Sequence, residues 1–258
     1  MAQTAWSKFP YADKAYVYAG ASLKKHWARL HLGDCEPFPQ DERLQEAWRL
    51  YHRGEFQQAA ELGLSLGTAG YTVANKAQCI YATYLEKDDK RKLALFQEVA
   101  GRCEQQIKAQ PENPNGYYFL AYSLGRYSQG ISVAKALAQG LGGKIKDALT
   151  RALELQPRHA DAHIAMGTYH AEVIDKVGAM VGGLTYGAKK DLGVEHFETA
   201  LRLNPDSAIA RIEYANGLAM MFGHARMKQA EKLYQEAAAC KPMDAMERLD
   251  VELAKAEL

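Results

Sequence analysis

Histidines are the residues of this chain whose types and spacing first suggest chemistry. His159, His163 and His170 lie close together in the sequence. His163 and His170 are seven residues apart, so they share one face of any helix that contains both. No H-E-x-x-H motif accompanies them. We therefore predict histidines that pack or lie at the surface, and no metal site.

The stretch GLGGKIKD is the segment that most resembles a phosphate-binding loop. A P-loop requires G-x-x-x-x-G-K-[ST] after a strand, but Ala138 and Ile145 occupy the positions of the first glycine and the hydroxyl residue. We interpret these glycines as a turn or as a place where helices cross closely. Because no Ser/His/Asp or Cys/His arrangement can be assembled either, we predict no catalytic residues, no cofactor and no enzymatic activity.

Composition and charge argue against several classes of protein. Apolar residues make up 48% of the chain, charged residues 24%, and the formal net charge is +1. This charge provides no bulk attraction to nucleic acid or to anionic lipid, so no nucleic-acid partner is expected. The first residues lack the apolar core of a signal peptide, and the uncharged stretches 62–75 and 177–188 are too short to span a bilayer. Together with four cysteines that form no C-x-x-C pair, this predicts a cytoplasmic protein without membrane insertion.

Four prolines reveal the organisation of the chain. Each follows the end of an amphipathic segment, namely CEQQIKAQP, LTRALELQP, FETALRLNP and YQEAAACKP. Proline cannot continue a helix, because it lacks the amide donor and its ring clashes with the preceding turn. We therefore expect Pro111, Pro157, Pro205 and Pro242 to lie at or just past helix ends.

Helical segments that follow three of these prolines repeat the same residue columns. Aligned on the proline, Ala121, Gly167 and Ala215 share one position, which is always small. A small residue lets a neighbouring helix approach closely. These columns match the tetratricopeptide pattern, in which each repeat consists of two helices, A and B. Helix A carries a bulky residue, a second large apolar residue and this small one. Helix B carries Ala, an aromatic residue, Ala and Pro. The sequence predicts an all-α, tetratricopeptide-like helical-repeat solenoid.

Two elongated connections distinguish this repeat from the simple one. The intervals 111–157, 157–205 and 205–242 all exceed the ordinary period of about 34 residues. The additional residues fall between helix A and helix B, in RYSQGISVAKALAQGLGGK and AEVIDKVGAMVGGLTYGAKKD. With the helix HFETALRLNP, this elaboration resembles the regulator of microtubule dynamics family over roughly residues 95–242. The chain is also similar to the T-component of TRAP-type transporters.

The predicted organisation is one continuous domain with four parts. Residues 1–40 form an N-terminal helix and linker, and residues 41–110 form degenerate helical repeats, with one earlier copy visible in RGEFQQAAELG. Residues 111–242 form the tetratricopeptide-like core, and residues 243–258 form a capping helix with a charged outer face.

A stripe of aromatic and charged residues provides the candidate site. Tyr118, Tyr122 and Arg126 are spaced four apart, and tyrosine and arginine are frequent binding anchors. In the fold that the resemblance implies, this face of helix A lines a concave groove. The implied groove residues are Tyr118, Tyr122, Arg126, Ile164, Thr168, Glu172, Ile212 and Asn216. Alternatively, the inserted segments fold back and bury this face, and Arg126 then requires a carboxylate, for which we expect Glu172.

Two functions remain open at this point. The first is an adaptor or scaffold that binds a peptide or helix of another protein in the concave groove. The second is a carrier or transport-accessory protein that binds a small apolar ligand in a cavity lined by the inserted segments. Microtubule binding does not follow from the resemblance, because a net charge of +1 gives no steering toward the acidic surface of tubulin.

Overall fold

The computed structural model describes residues 5–258, which fold into helices joined by short turns and contain no strand. The first five helices are α1 (Ser22–Leu30), α2 (Glu42–His52), α3 (Phe56–Ser65), α4 (Tyr71–Tyr84) and α5 (Asp89–Ala109). The central ones are α6 (Pro114–Gln129), α7 (Val133–Ala138), α8 (Leu141–Leu155), α9 (Ala160–Val177) and α10 (Ala179–Val181). The last ones are α11 (Lys190–Leu203), α12 (Ala208–Phe222), α13 (Met227–Ala238) and α14 (Ala245–Ala256). The predicted all-α helical-repeat fold is confirmed.

The prolines separate the repeats as predicted. Pro111, Pro157 and Pro205 each lie two residues past a helix end, and Pro242 follows the end of α13 by four residues. The next helix then begins with a capping side chain two residues after the first three prolines. Asn113, His159 and Ser207 accept hydrogen bonds from backbone amides of the first turns of α6, α9 and α12. The proline thus ends one helix, and the cap residue begins the next.

The predicted small column lies at buried helix crossings. Ala121 and Ala215 are 2% and 0% exposed. A Cβ atom added at Gly167 would lie only 2.9 Å from the Phe197 ring, which occupies the space between α9 and α12. The same ring faces Gly217 of α12. This prediction is confirmed, because the absence of a side chain at Gly167 admits the Phe197 ring of the paired helix B.

Both elongated connections fold over the ends of the helices that they join. The first contains α7, and the second contains α10 followed by a wide helical turn over Gly182–Tyr186. The carbonyl of Tyr186 accepts hydrogen bonds from the Lys146 ammonium at 2.9 Å and from the Tyr169 hydroxyl at 3.3 Å. Within GLGGKIKD, Gly140 has a φ of +63° at a turn, and Gly142 faces the Tyr186 ring. Glycine therefore provides both a turn and a close approach in this segment.

The N-terminal and C-terminal helices meet. Helix α14 packs on α12 and α13 and also contacts α2. Arg29 donates to Glu247 at 2.6 Å, and the Tyr18 hydroxyl donates to the Met243 carbonyl at 2.7 Å. A simple solenoid has separate ends, whereas here the C-terminal helix closes against the N-terminal ones. The concave side of the repeats is therefore enclosed at this end.

The segment between α1 and α2 crosses the concave side. The Gly33 carbonyl accepts a hydrogen bond from the Asp161 amide at 3.0 Å, and Asn115 donates to Glu36 at 2.7 Å. A side chain at position 33 would collide with the Asp161 carboxylate. This segment therefore rests on the first turns of α6 and α9 and occupies part of the volume that a bare solenoid would leave open.

Candidate functional site

The concave side contains a cleft that is open to solvent, with an interior volume of about 200 Å³. Its walls come from helices α4, α6, α9 and α12, from both elongated connections, from the segment that follows α1, and from α14. Because these elements are far apart in sequence, the cleft exists only when the repeats and the C-terminal helix are packed together.

The half of the cleft near the elongated connections is mainly apolar, although Glu172 and Lys176 line it too. Its wall includes Leu141 and Ile145 of α8, Val173 and Val177 of α9, and Tyr186. Two residues of α7, Val133 and Leu137, line the same cleft but are 42% and 49% exposed. These two side chains form what we call the lip, an apolar edge that is open to solvent and continuous with the interior.

The predicted aromatic stripe lines the cleft. Tyr118 is 8% exposed, whereas Tyr122 is only partly buried and bonds through its hydroxyl to the Thr83 hydroxyl at 2.8 Å. The Arg126 guanidinium lies 5.4 Å from the centre of the Tyr122 ring. The three side chains therefore form a continuous wall with an apolar body and polar edges.

The partner of Arg126 differs from the one expected. Its guanidinium donates to Glu213 of α12 at 2.7 Å, and Glu213 also accepts from Thr168 at 3.3 Å. Burial alone would lower the pKa of Arg126, but the Glu213 carboxylate raises it well above its ordinary value. Glu172 instead bonds Lys176 at 2.8 Å and Gln129. The expectation of Glu172 was wrong because α12 turns Glu213 toward α6 across the cleft.

Of the eight predicted groove residues, six line the cleft and two do not. The six are Tyr118, Tyr122, Arg126, Ile164, Thr168 and Glu172. Ile212 is 2% exposed and packs in a cluster with Val251 and Ala254 of α14, while Asn216 accepts from the Tyr234 hydroxyl of α13. Their face of α12 is covered by the C-terminal helices, so the neighbouring Ile209 and Glu213 line the cleft instead.

The opposite half of the cleft is polar and was not predicted. Lys76 of α4 is 3% exposed, and its ammonium lies 2.5 Å from an Asp34 oxygen, while His31 bonds the other oxygen at 2.9 Å. Burial would raise the pKa of Asp34, but Lys76 and His31 hold it well below its usual range. The only sequence signal was a lone lysine inside the apolar run YTVANKAQCI.

Three further acidic residues lie in the polar half, namely Asp161, Glu247 and Asp250. The Tyr84 hydroxyl donates to Asp250, whose pKa burial raises to about 8. Burial also raises the pKa of Asp161 to about 7, although Lys76 acts in the opposite direction. An acidic residue in the first turn of a helix is common, because it complements the helix dipole, so its position in the sequence gave no indication of a site.

The histidines have structural partners. His159 accepts the Ala162 amide through Nδ1 at 3.0 Å and donates from Nε2 to the side-chain Oδ1 of Asn115 at 2.9 Å. The Nδ1 atoms of His163 and His196 lie 2.9 Å apart. Across residues 5–258, no group of three or more His, Cys, Asp or Glu residues is arranged to hold a metal ion. In the same part of the chain, no helix is long and apolar enough to cross a membrane.

Comparison with known proteins supports the fold and gives the family. A solved structure described as a thermophilic TPR protein in Thermus thermophilus superposes with a TM-score of 0.57. It is 19% identical to this chain and covers 83% of it, and the chain covers 98% of that protein. At this identity the likeness shows the fold alone. No curated protein sequence matches significantly.

The family match extends further toward the N-terminus than the resemblance in the repeat core. The sequence model of the family described as Regulator of microtubule dynamics protein 1-3 matches residues 44–255. This range begins within α2 and includes nearly all of α14, so it contains most of the elements that build the cleft. The chain therefore belongs to the Regulator of microtubule dynamics protein 1-3 family.

Proposed function

We propose that the cleft binds a segment of another protein, either an extended peptide or a helix. The observation that carries this proposal is the lip, where Val133 and Leu137 line the cleft yet are about half exposed. Apolar side chains that are open to solvent and continuous with an apolar interior are typical of interaction surfaces. A bound segment would cover the lip and insert its own apolar side chains behind it.

The wall behind the lip has the composition of a protein-binding surface. Tyr118, Tyr122 and Arg126 belong to the residue types that most often anchor partners, and Arg126 is held in place by Glu213. A side chain that is fixed before binding loses little conformational entropy when the partner arrives. The helical-repeat fold also provides an extended concave surface, which is the usual binding surface of solenoids.

The test uses peptides selected by the intact protein from a phage-displayed library, with affinities measured by fluorescence anisotropy. We expect Leu137→Glu to weaken the selected peptides by at least about ten-fold, because it places a charge against the apolar part of the bound segment. The matched control is Leu64→Glu, since Leu64 of α3 is similarly exposed, at 40%, but does not line the cleft. Equal affinities for the native protein and Leu137→Glu would place the binding surface elsewhere.

A second candidate is a carrier of a small apolar ligand. The observation that favours it is the enclosure of the apolar half, where Leu141, Val177 and Tyr186 wall the cleft between the two elongated connections. Native mass spectrometry of the purified protein separates the two candidates. A co-purified small molecule that is lost in Leu137→Glu would favour the carrier, whereas a ligand-free protein that selects peptides favours the adaptor.

A further inference from the structure

We propose that the polar half of the cleft receives a cationic side chain, lysine or arginine, of the bound segment, and that Asp161 is its partner. This inference rests on the proposed function, since it specifies the chemistry of the segment that the cleft binds. The apolar half would hold the flanking residues. The polar half would select segments that carry a positive charge at this position.

Asp161 carries the proposal because its carboxylate lines the cleft without a partner. The residue is fixed at the start of α9, where its amide donates to the Gly33 carbonyl at 3.0 Å. Neither carboxylate oxygen has a hydrogen bond or an ion pair with any residue of the described chain, 5–258. A carboxylate that is withdrawn from bulk solvent usually has such a partner, because desolvating the charge is otherwise costly.

Three cations around the cleft already form ion pairs with other carboxylates. Lys76 lies 2.5 Å from Asp34, Arg29 lies 2.6 Å from Glu247, and Arg126 lies 2.7 Å from Glu213. Each is held in its own pair, so none can reach Asp161 without breaking that contact. Lys76 acts on the Asp161 carboxylate through space, but no cation of residues 5–258 forms an ion pair with it. We assign the missing direct partner to the bound segment.

Asn204 provides an independent second observation. It lines the same cleft, is 7% exposed, and its carbonyl oxygen Oδ1 is buried without a hydrogen-bond donor. This oxygen has almost no accessible surface, so the Asn204 side chain must turn toward the cleft before a ligand can reach it. An N–H group of a ligand would then satisfy it, as it would the Asp161 carboxylate. An ammonium has three such groups and a guanidinium five, and both carry the required charge.

The remaining groups favour a basic side chain over an anionic one. Glu247 and Asp250 also line this half of the cleft and add carboxyl oxygens that can accept N–H groups. Burial raises the pKa of Asp161 to about 7, so a cation brought beside it would stabilise the ionised form. Lysine and arginine also have apolar stems, which can pass along the apolar half while the charge reaches the polar half.

The experiment compares peptides selected by the intact native protein with those selected by Asp161→Asn. Asparagine keeps the size of the side chain and leaves the backbone hydrogen bond to Gly33 in place. The matched control is Asp175→Asn, which changes an exposed aspartate of the same helix that does not line the cleft. We expect the native protein and the control to select lysine or arginine at one fixed position, and Asp161→Asn to lose this selection.

A single selected peptide then tests the charge directly. Replacing its basic residue by norleucine, which has the lysine stem without the ammonium, should weaken binding to the native protein by about 10- to 100-fold. The same replacement should change binding to Asp161→Asn by less than about three-fold. Apolar peptides selected without any basic residue would overturn this inference and leave the proposed function standing. If neither protein selects any peptide, the proposed function fails, and the role of Asp161 fails with it.

Discussion

The imidazole of His52 donates to the carboxylate of Asp244 at 2.8 Å, although 192 residues separate the two in the chain. His52 ends α2, and Asp244 caps the start of α14, where it also accepts the Glu247 amide at 2.9 Å. Both residues are almost completely buried. This contact joins the two ends of the solenoid and, through α14, completes one wall of the cleft.

Replacing Asp244 with alanine should therefore destabilise the whole protein. The variant loses both the hydrogen bond with His52 and the cap of α14. Leaving the buried imidazole without its partner costs about 1–3 kcal/mol, and the lost cap costs about 1 kcal/mol more. Urea unfolding followed by circular dichroism measures the change. Lys232→Ala, which breaks an exposed ion pair with Glu236, should leave the unfolding midpoint nearly unchanged. A similar shift for both variants would show that the ends of the chain are not coupled through Asp244.

The crossing at Gly167 predicts a specific overpacking effect. Gly167→Leu places a side chain against the Phe197 ring, from which even a Cβ atom would lie only 2.9 Å away, and should cost about 1–3 kcal/mol or more. The same substitution at Gly101 is the control, because no atom lies within 4 Å of a Cβ atom there. Gly101→Leu should stabilise helix α5 slightly. Thermal unfolding of the two variants in parallel distinguishes these effects, and a neutral Gly167→Leu would contradict the crossing.

The contact between Arg126 and Glu213 predicts that exchanging the two residues restores the stability lost in each single variant. Arg126→Glu places two carboxylates together, and Glu213→Arg places two guanidinium groups together, so each single variant should lose stability. The double swap restores opposite charges at the same pair of positions. We expect its loss in free energy of unfolding, measured in urea, to be smaller than the sum of the two single losses by about 1 kcal/mol or more. Additive losses would mean that the two side chains do not interact.

Asp161 predicts a dependence of stability on pH. In the unfolded chain its pKa is the ordinary 3.8, whereas burial raises the folded value to about 7. Between these values the folded state keeps a proton that the unfolded state has released. Its contribution to stability therefore falls as the pH rises from about 4 to 7, and the loss persists above pH 7.

Asp161→Asn removes this titration, which gives a direct measurement. At each pH we compare the free energy of unfolding of the variant with that of the native protein. This difference should favour the variant more at pH 8 than at pH 4, by roughly 1.4 kcal/mol for each unit of pKa shift removed. Urea unfolding at the two pH values measures the difference. The control is Asp175→Asn, which changes an exposed aspartate of the same helix. If the difference in free energy of unfolding between the variant and the native protein is the same at both pH values, then folding does not raise the pKa of Asp161.

The sequence by itself determined the repeat. Proline ends a helix through its own covalent geometry, and a small residue at a fixed distance from it marks a crossing, so Pro157 and Gly167 could be interpreted without a structure. The stripe of Tyr118, Tyr122 and Arg126 followed from helical periodicity alone. These are local rules, in which the relevant residues lie within one or two helices of each other.

Only the tertiary structure decided what faces the concave side. The small rotation from one repeat to the next accumulates along a solenoid, and this sum brings α14 against α2 and turns Glu213, rather than Glu172, toward Arg126. For the same reason Ile212 lies beneath α14, and Asp161 faces a cleft without a partner. No spacing in the sequence encodes a contact between residues as far apart as His52 and Asp244, because it depends on the packing of every helix between them.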